Sequence, residues 1–208
     1  MMTSLRDIRG LQLFQEGFVT VQDASASLAI ILADPKPGMR VIDLCAAPGG
    51  KAKYLYELLG HKNFTANEIN PTRFNLLKNL IPKENLLQFD GRNAEDFPTT
   101  YDRILIDAPC TGLGALRRRP EARWRKNISD LKELISIQRD LISSAAKLLN
   151  VGGIIGYATC SPHRLETNVQ VADALHRNKN LELIRIQSVA PHFKEGIRED
   201  GTMQLWTH

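Results

Sequence analysis

Two of the three cysteines stand directly after apolar stretches that we predict to be buried strands. Cys110 closes the segment 107–110, and Cys160 lies in the middle of the segment 159–161. A thiolate is an effective nucleophile when its neighbours lower its pKa, whereas a single free cysteine is more often a small buried hydrophobic residue. In a parallel sheet the carboxyl ends of the strands meet at one edge, where ligands bind. Two cysteines at that edge therefore predict nucleophilic chemistry.

A glycine-containing segment, residues 43–51, follows the first predicted strand. Its glycines allow the backbone to approach a ligand closely, and the N-terminus of the next helix favours an anionic group such as a carboxylate. The segment lacks the GxGxxG pattern, so it fits a nicotinamide dinucleotide poorly. We therefore expect a cofactor that carries a carboxylate instead of a pyrophosphate.

Acidic residues after the second and third predicted strands indicate that this cofactor contains a nucleoside. Glu68 stands where an acid can accept hydrogen bonds from a ribose diol. Asp90 stands where a side chain can reach the adenine, although either acid alone is also compatible with a solvated turn. A nucleoside that bears a carboxylate describes S-adenosylmethionine, which we predict as the cofactor.

The basic residues are concentrated in one short segment. Residues 117–126 hold six of the 27 basic side chains and one of the 23 acidic ones, and the remainder of the chain is close to neutral. A charge run is more often a solvated surface, but its concentration around Trp124 favours a partner that carries phosphate groups. The six basic residues are Arg117, Arg118, Arg119, Arg123, Arg125 and Lys126.

The elements that position these residues are predicted from hydrophobic periodicity. Strand-like apolar runs alternate with helix-like stretches, which is typical of an α/β fold with a parallel sheet. We predict strands at 40–44, 64–69, 86–89, 101–107, 154–158 and 181–186, and helices at 51–59, 71–80 and 165–176. Two further helices are expected, one through Leu32 capped by Asp23 or Ser25 and one through Leu148 capped by Ser129 or Asp130.

Composition excludes several classes of protein. The 208 residues suit one large domain, and a charged content of 24% argues against disorder. The longest apolar run, residues 28–33, is too short to span a bilayer, and no secretory signal is evident, so we expect a cytoplasmic protein. Three cysteines and five scattered histidines predict neither a disulfide framework nor a metal site. We expect a monomer.

Five ordered blocks resemble the RNA cytosine-5 methyltransferases of the RsmB/Sun (Fmu) type. They are Asp-Leu-Cys-Ala-Ala-Pro-Gly-Gly-Lys at 43–51, Asp-Ala-Pro-Cys-Thr-Gly at 107–112, Arg-Arg-Arg-Pro at 117–120 with Trp124, Thr-Cys-Ser at 159–161, and the segment 18–25 before the cofactor domain. The match runs in order from about Gly17 to the end of the chain. It implies a Rossmann-like class I S-adenosylmethionine-dependent methyltransferase fold, with a mostly parallel sheet and helices on both faces.

The resemblance also implies residue roles. Cys160 is the nucleophile, Cys110 helps to release the product, and Asp107 and Pro109 hold the target base. Glu68 binds the ribose, with Arg73 nearby, and Asp90 lies by the adenine. The residues around the methionine part of the cofactor are Cys45, Ala46, Ala47, Pro48, Gly49, Gly50 and Lys51, and Asp107 also faces the cofactor. The basic segment 117–126 binds RNA.

Alternatives remain open at this stage. DNA cytosine-5 methyltransferases use the cysteine of a Pro-Cys pair, and by that analogy Cys110 is the nucleophile. The expected substrate is small-subunit ribosomal RNA. The alternative substrate is a transfer RNA. The alternative functions are a catalytically silent RNA-binding assembly factor and a nicotinamide-dependent dehydrogenase, although the GxGxxG pattern of the latter is absent.

The boundaries of the resemblance predict a domain arrangement. We expect a lead-in segment at 1–22 and a methyltransferase catalytic domain at 23–208. The family carries an upstream NusB-like RNA-binding domain and a final strand after the position where this chain ends. We therefore expect the chain to be a catalytic-domain fragment of a longer protein.

Overall fold

Five parallel strands form the sheet of this domain. The computed structural model describes residues 8–16, 19, 21–125, 127–189 and 196–205. In it the strands follow the order β3-β2-β1-β4-β5, and every neighbouring pair is parallel. They are β1 (Val41–Asp43), β2 (Phe64–Asn67), β3 (Leu86–Leu87), β4 (Tyr101–Asp107) and β5 (Leu149–Ala158). The predicted α/β class with a parallel sheet is confirmed.

Helices cover both faces of the sheet. The described helices are α1 (Gln12–Gln15), α2 (Ala24–Ala33), α3 (Gly50–Leu59), α4 (Pro71–Leu77), α5 (Ala122–Arg125), α6 (Ile128–Leu148), α7 (Asn168–Arg177) and α8 (Ile186–Val189), and the buried residues of α2, α3, α4, α6 and α7 form the cores on the two faces. Asp23 caps α2, as one of the two expected residues. The cap of α6 is Asn127 rather than Ser129 or Asp130, because the Asp130 carboxylate bonds back to the Asn127 N–H in a capping box. None of the described helices is long and apolar enough to cross a membrane.

Alternation along the central strands divides the core into two layers. In β4, Ile104 and Ile106 pack in one cluster with Leu141 and Ile142 of α6. Leu105 points the other way, into the cluster that contains residues of α2, α3 and α4. Each of these side chains is at most 4% exposed, and burial of such a side chain contributes about 1.5–3 kcal/mol. Both faces of β4 are therefore buried, which holds its carboxyl end in a fixed position.

The strand order reverses at the centre of the sheet. From β1 the chain proceeds outward through β2 to β3, whereas β4 and β5 extend on the opposite side of β1. A reversal of this kind opens a crevice at the carboxyl ends of the two central strands, where ligands of α/β sheets bind. The ends of β1 and β4 are the segments that contain Asp43 and Asp107.

The predicted strand at 181–186 is wrong. Residues 181–185 form no strand ladder and have no regular secondary structure, and α8 begins at Ile186. The Ile186 N–H donates to the carbonyl of Gly201, and Leu183 and Ile184 are each 41% exposed. Apolar alternation becomes a strand only where a neighbouring strand accepts its backbone hydrogen bonds, and no described strand lies beside this segment.

Candidate active site

The loop between β1 and α3 forms one wall of the crevice. Gly49 caps α3 with φ 115°, and a Cβ at this position would lie 2.6 Å from Leu80 Cδ1, so only glycine is accommodated without strain. The Ala47–Pro48 peptide bond is cis. The guanidinium of Arg73 donates to the Ala47 carbonyl and thereby ties this loop to α4.

Glu68 lies at the end of β2 with its side chain buried. Its Oε1 accepts a hydrogen bond of 3.0 Å from the Asn70 N–H. Its Oε2 has no hydrogen-bond partner among the described residues and lies 3.5 Å from the Arg73 guanidinium. A buried carboxylate oxygen that accepts no hydrogen bond is costly, and Glu68 is among the residues that line the crevice, so its Oε2 is a candidate acceptor for a ligand.

A lysine–aspartate pair joins the ends of the two central strands. Lys51 Nζ of α3 lies 2.7 Å from Asp107 Oδ2 at the end of β4. Asp43, at the end of β1, is fully buried, and one of its oxygens has no described partner. Burial, reinforced by the negative charge of Asp107, raises the pKa of Asp43 from 3.8 to about 7.

The two candidate cysteines meet in the crevice. The Sγ atoms of Cys110 and Cys160 are 3.2 Å apart, and Cys160 is exposed. A hydrogen bond from the Cys110 thiol lowers the pKa of Cys160 from 9.0 to about 7. The same hydrogen bond and burial raise the pKa of Cys110. Cys160 is exposed whereas Cys110 is half-buried, and the two pKa shifts have the directions expected when the Cys110 thiol donates to a Cys160 thiolate.

Burial separates the third cysteine from this chemistry. Cys45 lies in the β1–α3 loop, and burial followed by the charge of Asp43 raises the pKa of its thiol.

Asp90, after β3, already has a cationic partner that the sequence pattern did not indicate. The Arg92 guanidinium donates to both Asp90 oxygens at 2.6–3.0 Å, and this hydrogen bonding lowers the pKa of Asp90.

A buried polar network below the cysteines was also missed. Glu166 accepts hydrogen bonds from Thr111 and Gln138, and Thr111 in turn contacts Ser161. The available signal was that a hydroxyl residue directly follows each cysteine, at Thr111 and Ser161. Periodicity alone cannot identify Glu166 as buried, because it lies in the short 3-10 turn Arg164–Glu166 outside any amphipathic helix.

Part of the basic segment lies at the mouth of the crevice. Arg118 and Arg119 contribute to its lining, and Arg118 forms an ion pair with Asp23 at the start of α2. Arg117 and Arg123 are exposed, and Trp124 is 83% exposed. Arg125 ends α5, and Lys126 lies outside the described residues.

One continuous crevice collects the predicted cofactor and catalytic residues. It is lined by 44–51, Glu68, Arg73, Asp90, 107–112 and 159–162. In the described part of the chain, no group of three or more His, Cys, Asp or Glu side chains is arranged to hold a metal ion. The arrangement combines an exposed thiol, a lysine–aspartate ion pair and a crevice lined by a glycine-containing loop and by Glu68. Such a combination is suited to covalent catalysis with a bound cosubstrate.

Comparison with known proteins identifies relatives over most of the chain. The family model for the 16S rRNA methyltransferase RsmB/F matches residues 29–208. The putative methyltransferase MT1451 of Mycobacterium tuberculosis (strain CDC 1551 / Oshkosh) is 44% identical over 207 residues, covering 93% of this chain and 44% of the relative. Ribosomal RNA small subunit methyltransferase B of Yersinia enterocolitica is 35% identical over 196 residues, covering 90% and 46%. The chain therefore spans less than half the length of these curated relatives.

Solved structures agree with this assignment. The crystal structure of PH0851 matches with a TM-score of 0.86 and 34% identity, covering 96% of this chain and 46% of that one. The structure of NSun6 from Pyrococcus horikoshii with SFG, an S-adenosylmethionine analogue, matches with a TM-score of 0.74 and 29% identity, covering 83% and 46%. The fold is thus that of the Rossmann-like class I methyltransferases. The chain belongs to the 16S rRNA methyltransferase RsmB/F family, whose members depend on S-adenosylmethionine.

Proposed function

We propose that this chain is the catalytic domain of an RNA cytosine-5 methyltransferase that acts on small-subunit ribosomal RNA through a covalent cysteine–cytosine adduct. The observation that carries the proposal is the Cys110–Cys160 contact of 3.2 Å beside the Lys51–Asp107 ion pair in one crevice. A methyl transfer to an oxygen or an exocyclic nitrogen needs no nucleophilic thiol, whereas cytosine C5 is a poor nucleophile until a thiolate adds to C6.

The residues present fit S-adenosylmethionine. Glu68 Oε2, which accepts no hydrogen bond from the described residues, is an acceptor for ribose hydroxyls, and the glycine-containing 45–51 loop gives the methionine part access to backbone groups. When bound, the cofactor supplies an electrophilic methyl group.

Thermal unfolding checks this assignment, because a ligand that binds the folded state raises the midpoint temperature of unfolding. S-adenosylmethionine should raise it and NAD should not.

Cys160 begins the chemistry in this proposal. Its thiolate forms a bond from Sγ to cytosine C6, and the electron pair displaced from the C5–C6 double bond makes C5 nucleophilic. After C5 has taken the methyl group, a base removes the C5 proton. The C5–C6 double bond then reforms as the Sγ–C6 bond breaks, and the thiolate is regenerated.

Asp107 and Cys110 assist the reaction of Cys160 with the cytosine. An acidic side chain near cytosine N3 and N4 stabilises the adduct electrostatically, and Lys51 holds the Asp107 carboxylate in a defined orientation at 2.7 Å. Pro109 and Asp107 hold the base, and Cys110 assists release of the product after methyl transfer. Cys110 also keeps Cys160 ionised before RNA binds, because its thiol donates the hydrogen bond that lowers the pKa of Cys160.

The basic segment is proposed to hold the flanking RNA. Its exposed arginines suit phosphate groups, and the exposed Trp124 ring suits stacking on an unpaired base. The target cytosine has to leave its stack to reach both the thiol and the methyl donor. In this proposal residues 23–208 form the catalytic domain, residues 1–22 lead into it, and a ribosomal RNA substrate makes the protein cytoplasmic.

A covalent trap tests the proposal. The protein is incubated with S-adenosylmethionine and small-subunit ribosomal RNA that contains 5-fluorocytidine, and any adduct that resists denaturation is mapped by peptide mass. Fluorine at C5 cannot leave as a proton, so the adduct should persist on Cys160. The Cys160→Ala variant should bind the cofactor as before and give no adduct.

Three other results would contradict parts of the proposal. An adduct on Cys110 would exchange the roles of the two thiols. A stronger adduct with transfer RNA than with ribosomal RNA would replace the substrate class. The absence of any adduct from a folded sample that binds the cofactor would favour a catalytically silent RNA-binding factor.

A further inference from the structure

Glu166 is a fully buried acid at the base of the crevice. Its side chain is 0% exposed, and no ion pair with a basic residue of the described chain compensates it. Its carboxylate is instead satisfied by neutral donors. Since an apolar side chain would be cheaper to bury, an acid in this position requires an explanation beyond packing.

One arm of the Glu166 network clamps both neighbours of Cys110. Glu166 Oε1 accepts the Thr111 N–H at 2.8 Å, and Oε2 accepts the Thr111 hydroxyl at 2.5 Å. The Gln138 amide donates to Glu166 Oε1 at 3.2 Å and to the Pro109 carbonyl at 2.9 Å. The backbone on each side of Cys110 is therefore anchored to the same carboxylate, directly at Thr111 and through Gln138 at Pro109.

A second arm reaches the neighbour of Cys160. The Thr111 hydroxyl lies 3.1 Å from the hydroxyl of Ser161, and Ser161 accepts the His163 N–H at 3.2 Å. Thr111 donates to Glu166, so the Ser161 hydroxyl is the donor in the contact between the two hydroxyls. The loops that carry the two cysteines are thus joined beneath the thiols by buried hydrogen bonds.

We propose that Glu166 is a positioning residue that holds Cys110 and Cys160 at hydrogen-bonding separation. The inference rests on the proposed function, in which the Cys160 thiolate attacks the base. The Sγ–Sγ contact is short, and hydrogen bonds weaken steeply with misalignment, so small independent movements of the two loops would break it. Without the Cys110 donor, less of Cys160 is ionised at neutral pH. Glu166 therefore acts on the nucleophile through Thr111 and Ser161 and does not touch the substrate.

Two pairs of variants separate positioning from general stability. Glu166→Ala removes the whole anchor, whereas Glu166→Gln retains an acceptor for the Thr111 N–H and an amide that can donate to the Thr111 hydroxyl. Thr111→Val removes only the hydroxyl arm and keeps the side-chain shape, whereas Thr111→Ser keeps the hydroxyl. Gln170→Ala is the matched control, because Gln170 is 3% exposed and its amide donates to the Ile135 carbonyl of α6 at 3.0 Å, away from both cysteine loops.

The decisive readout is the pH profile of Cys160 alkylation by iodoacetamide, mapped by peptide mass. We expect Glu166→Ala and Thr111→Val to move its midpoint upward by about one pH unit, which is about a tenfold loss of reactivity below the midpoint. Glu166→Gln and Thr111→Ser should restore most of the wild-type profile. Gln170→Ala should lower the unfolding midpoint and leave the alkylation profile in place. Single-turnover methylation of ribosomal RNA should fall in parallel with alkylation.

The inference and the proposed function fail in different ways. Wild-type protein that shows the alkylation profile but no methylation would overturn the proposed function alone. Folded Glu166→Ala and Thr111→Val proteins with an unchanged profile would overturn the positioning role. An equal shift in Gln170→Ala would also overturn it, by showing that any loosening of α6 and α7 has the same effect. If Glu166→Ala does not fold, the comparison of Thr111→Val with Thr111→Ser decides.

Discussion

Exposure and the directions of their pKa shifts distinguish the two thiols at the scale of single residues. Cys110 and Cys160 both follow strands and are both near the crevice, so composition and spacing do not rank them. In the structure they share one contact, and the pKa values move in opposite directions, down for Cys160 and up for Cys110. A donor must keep its proton while the acceptor loses one. This asymmetry supports the proposal that Cys160 is the nucleophile. From the sequence, that role follows only from the family resemblance.

Removal of Cys110 should therefore slow Cys160 at neutral pH. In Cys110→Ala the thiolate of Cys160 loses its donor, and its pKa should rise from about 7 toward 9.0. Stopped-flow alkylation of Cys160 across pH 6–9 should show the midpoint moving upward, with little change at high pH where the thiol ionises in both proteins. Cys45→Ala serves as the control, since that half-buried thiol forms no hydrogen bond with another described cysteine. An unchanged midpoint in Cys110→Ala would contradict the donor role.

Glu68 is the residue on which cofactor affinity should depend. Glu68→Gln keeps the side-chain volume but replaces one carboxylate acceptor with an amide donor and removes the charge. We expect the dissociation constant for S-adenosylmethionine, measured by calorimetry, to rise about tenfold, which corresponds to the loss of one hydrogen bond to a charged group. Glu57→Gln is the control, because Glu57 is an exposed partner of Lys53 on α3. Equal affinities in the two variants would remove Glu68 from the cofactor site.

At the scale of elements, the start of α2 is coupled to the basic segment. The two oxygens of Asp23 have separate partners. Oδ1 accepts the Ser25 N–H at 2.8 Å and caps the helix, while Oδ2 pairs with Arg118. The pKa of Asp23 is lowered mainly by the hydrogen bonds from Ser25 and also by Arg118. Arg118 is therefore held by a carboxylate that an RNA phosphate would have to displace.

Asp23→Asn should tighten RNA binding. Asparagine still caps α2 but no longer neutralises Arg118. An exposed ion pair is worth up to about 1 kcal/mol, so the affinity for ribosomal RNA should rise by at most about fivefold. The slope of log affinity against log salt concentration should become more negative by about 0.9, which is the contribution of one additional phosphate contact. Asp34→Asn, at the other end of α2, makes the same charge change as a control. Equal effects of the two substitutions would mean that net charge alone is responsible.

The elements also show what sequence patterns can predict. β4 (Tyr101–Asp107) was predicted with its observed bounds, because the consecutive apolar residues 104–106 fit a strand buried on both faces and Pro109 follows as a turn signal. The 181–186 segment also reads as a strand from its apolar alternation, but no described strand lies beside it, and strand pairing is a property of the whole fold. The buried position of Glu166 likewise depends on long-range contacts that a one-dimensional pattern does not contain, whereas the Asn127–Asp130 capping box of α6 is local and its spacing is present in the sequence.

The candidate site was predicted in outline for a related reason. The residues that end the strands are ordered by the chain, so the parallel sheet brings 43–51, Glu68, 107–110 and Cys160 to one edge without further information. The partners that tune them come from elsewhere in the chain. Lys51 reaches Asp107, Arg118 reaches Asp23, and Glu166 reaches Thr111. These long-range pairs determine the charge and the orientation of the site side chains, and their spacing in the sequence does not predict them.

On the scale of the whole molecule, the crevice is expected to reduce stability. Asp43 lies at the centre of the sheet with 0% exposure, and Asp107 and Glu68 place further negative charge near it. The pKa of Asp43 rises to about 7 in the folded protein, against 3.8 in the ordinary case. Folding must therefore take up a proton or bury a charge. This cost is acceptable at a functional site, where strong fields near a ligand are useful.

Asp43→Asn should relieve this cost in a pH-dependent way. Because the folded-state pKa is raised, the group favours the folded state fully below pH 3.8, and that contribution is lost as pH rises toward 7. The free energy of unfolding of Asp43→Asn minus that of the wild type should therefore increase between pH 5 and pH 8, by at most about 1.4 kcal/mol per pH unit below 7. Urea unfolding at the two pH values measures it. Asp102→Asn is the control, since hydrogen bonds from Asn150 and Arg40 lower the pKa of Asp102, and its difference should not change over this range. A difference for Asp43→Asn that is the same at pH 5 and pH 8 would mean that the buried carboxyl is ionised at both, and that another cation in the crevice already balances it.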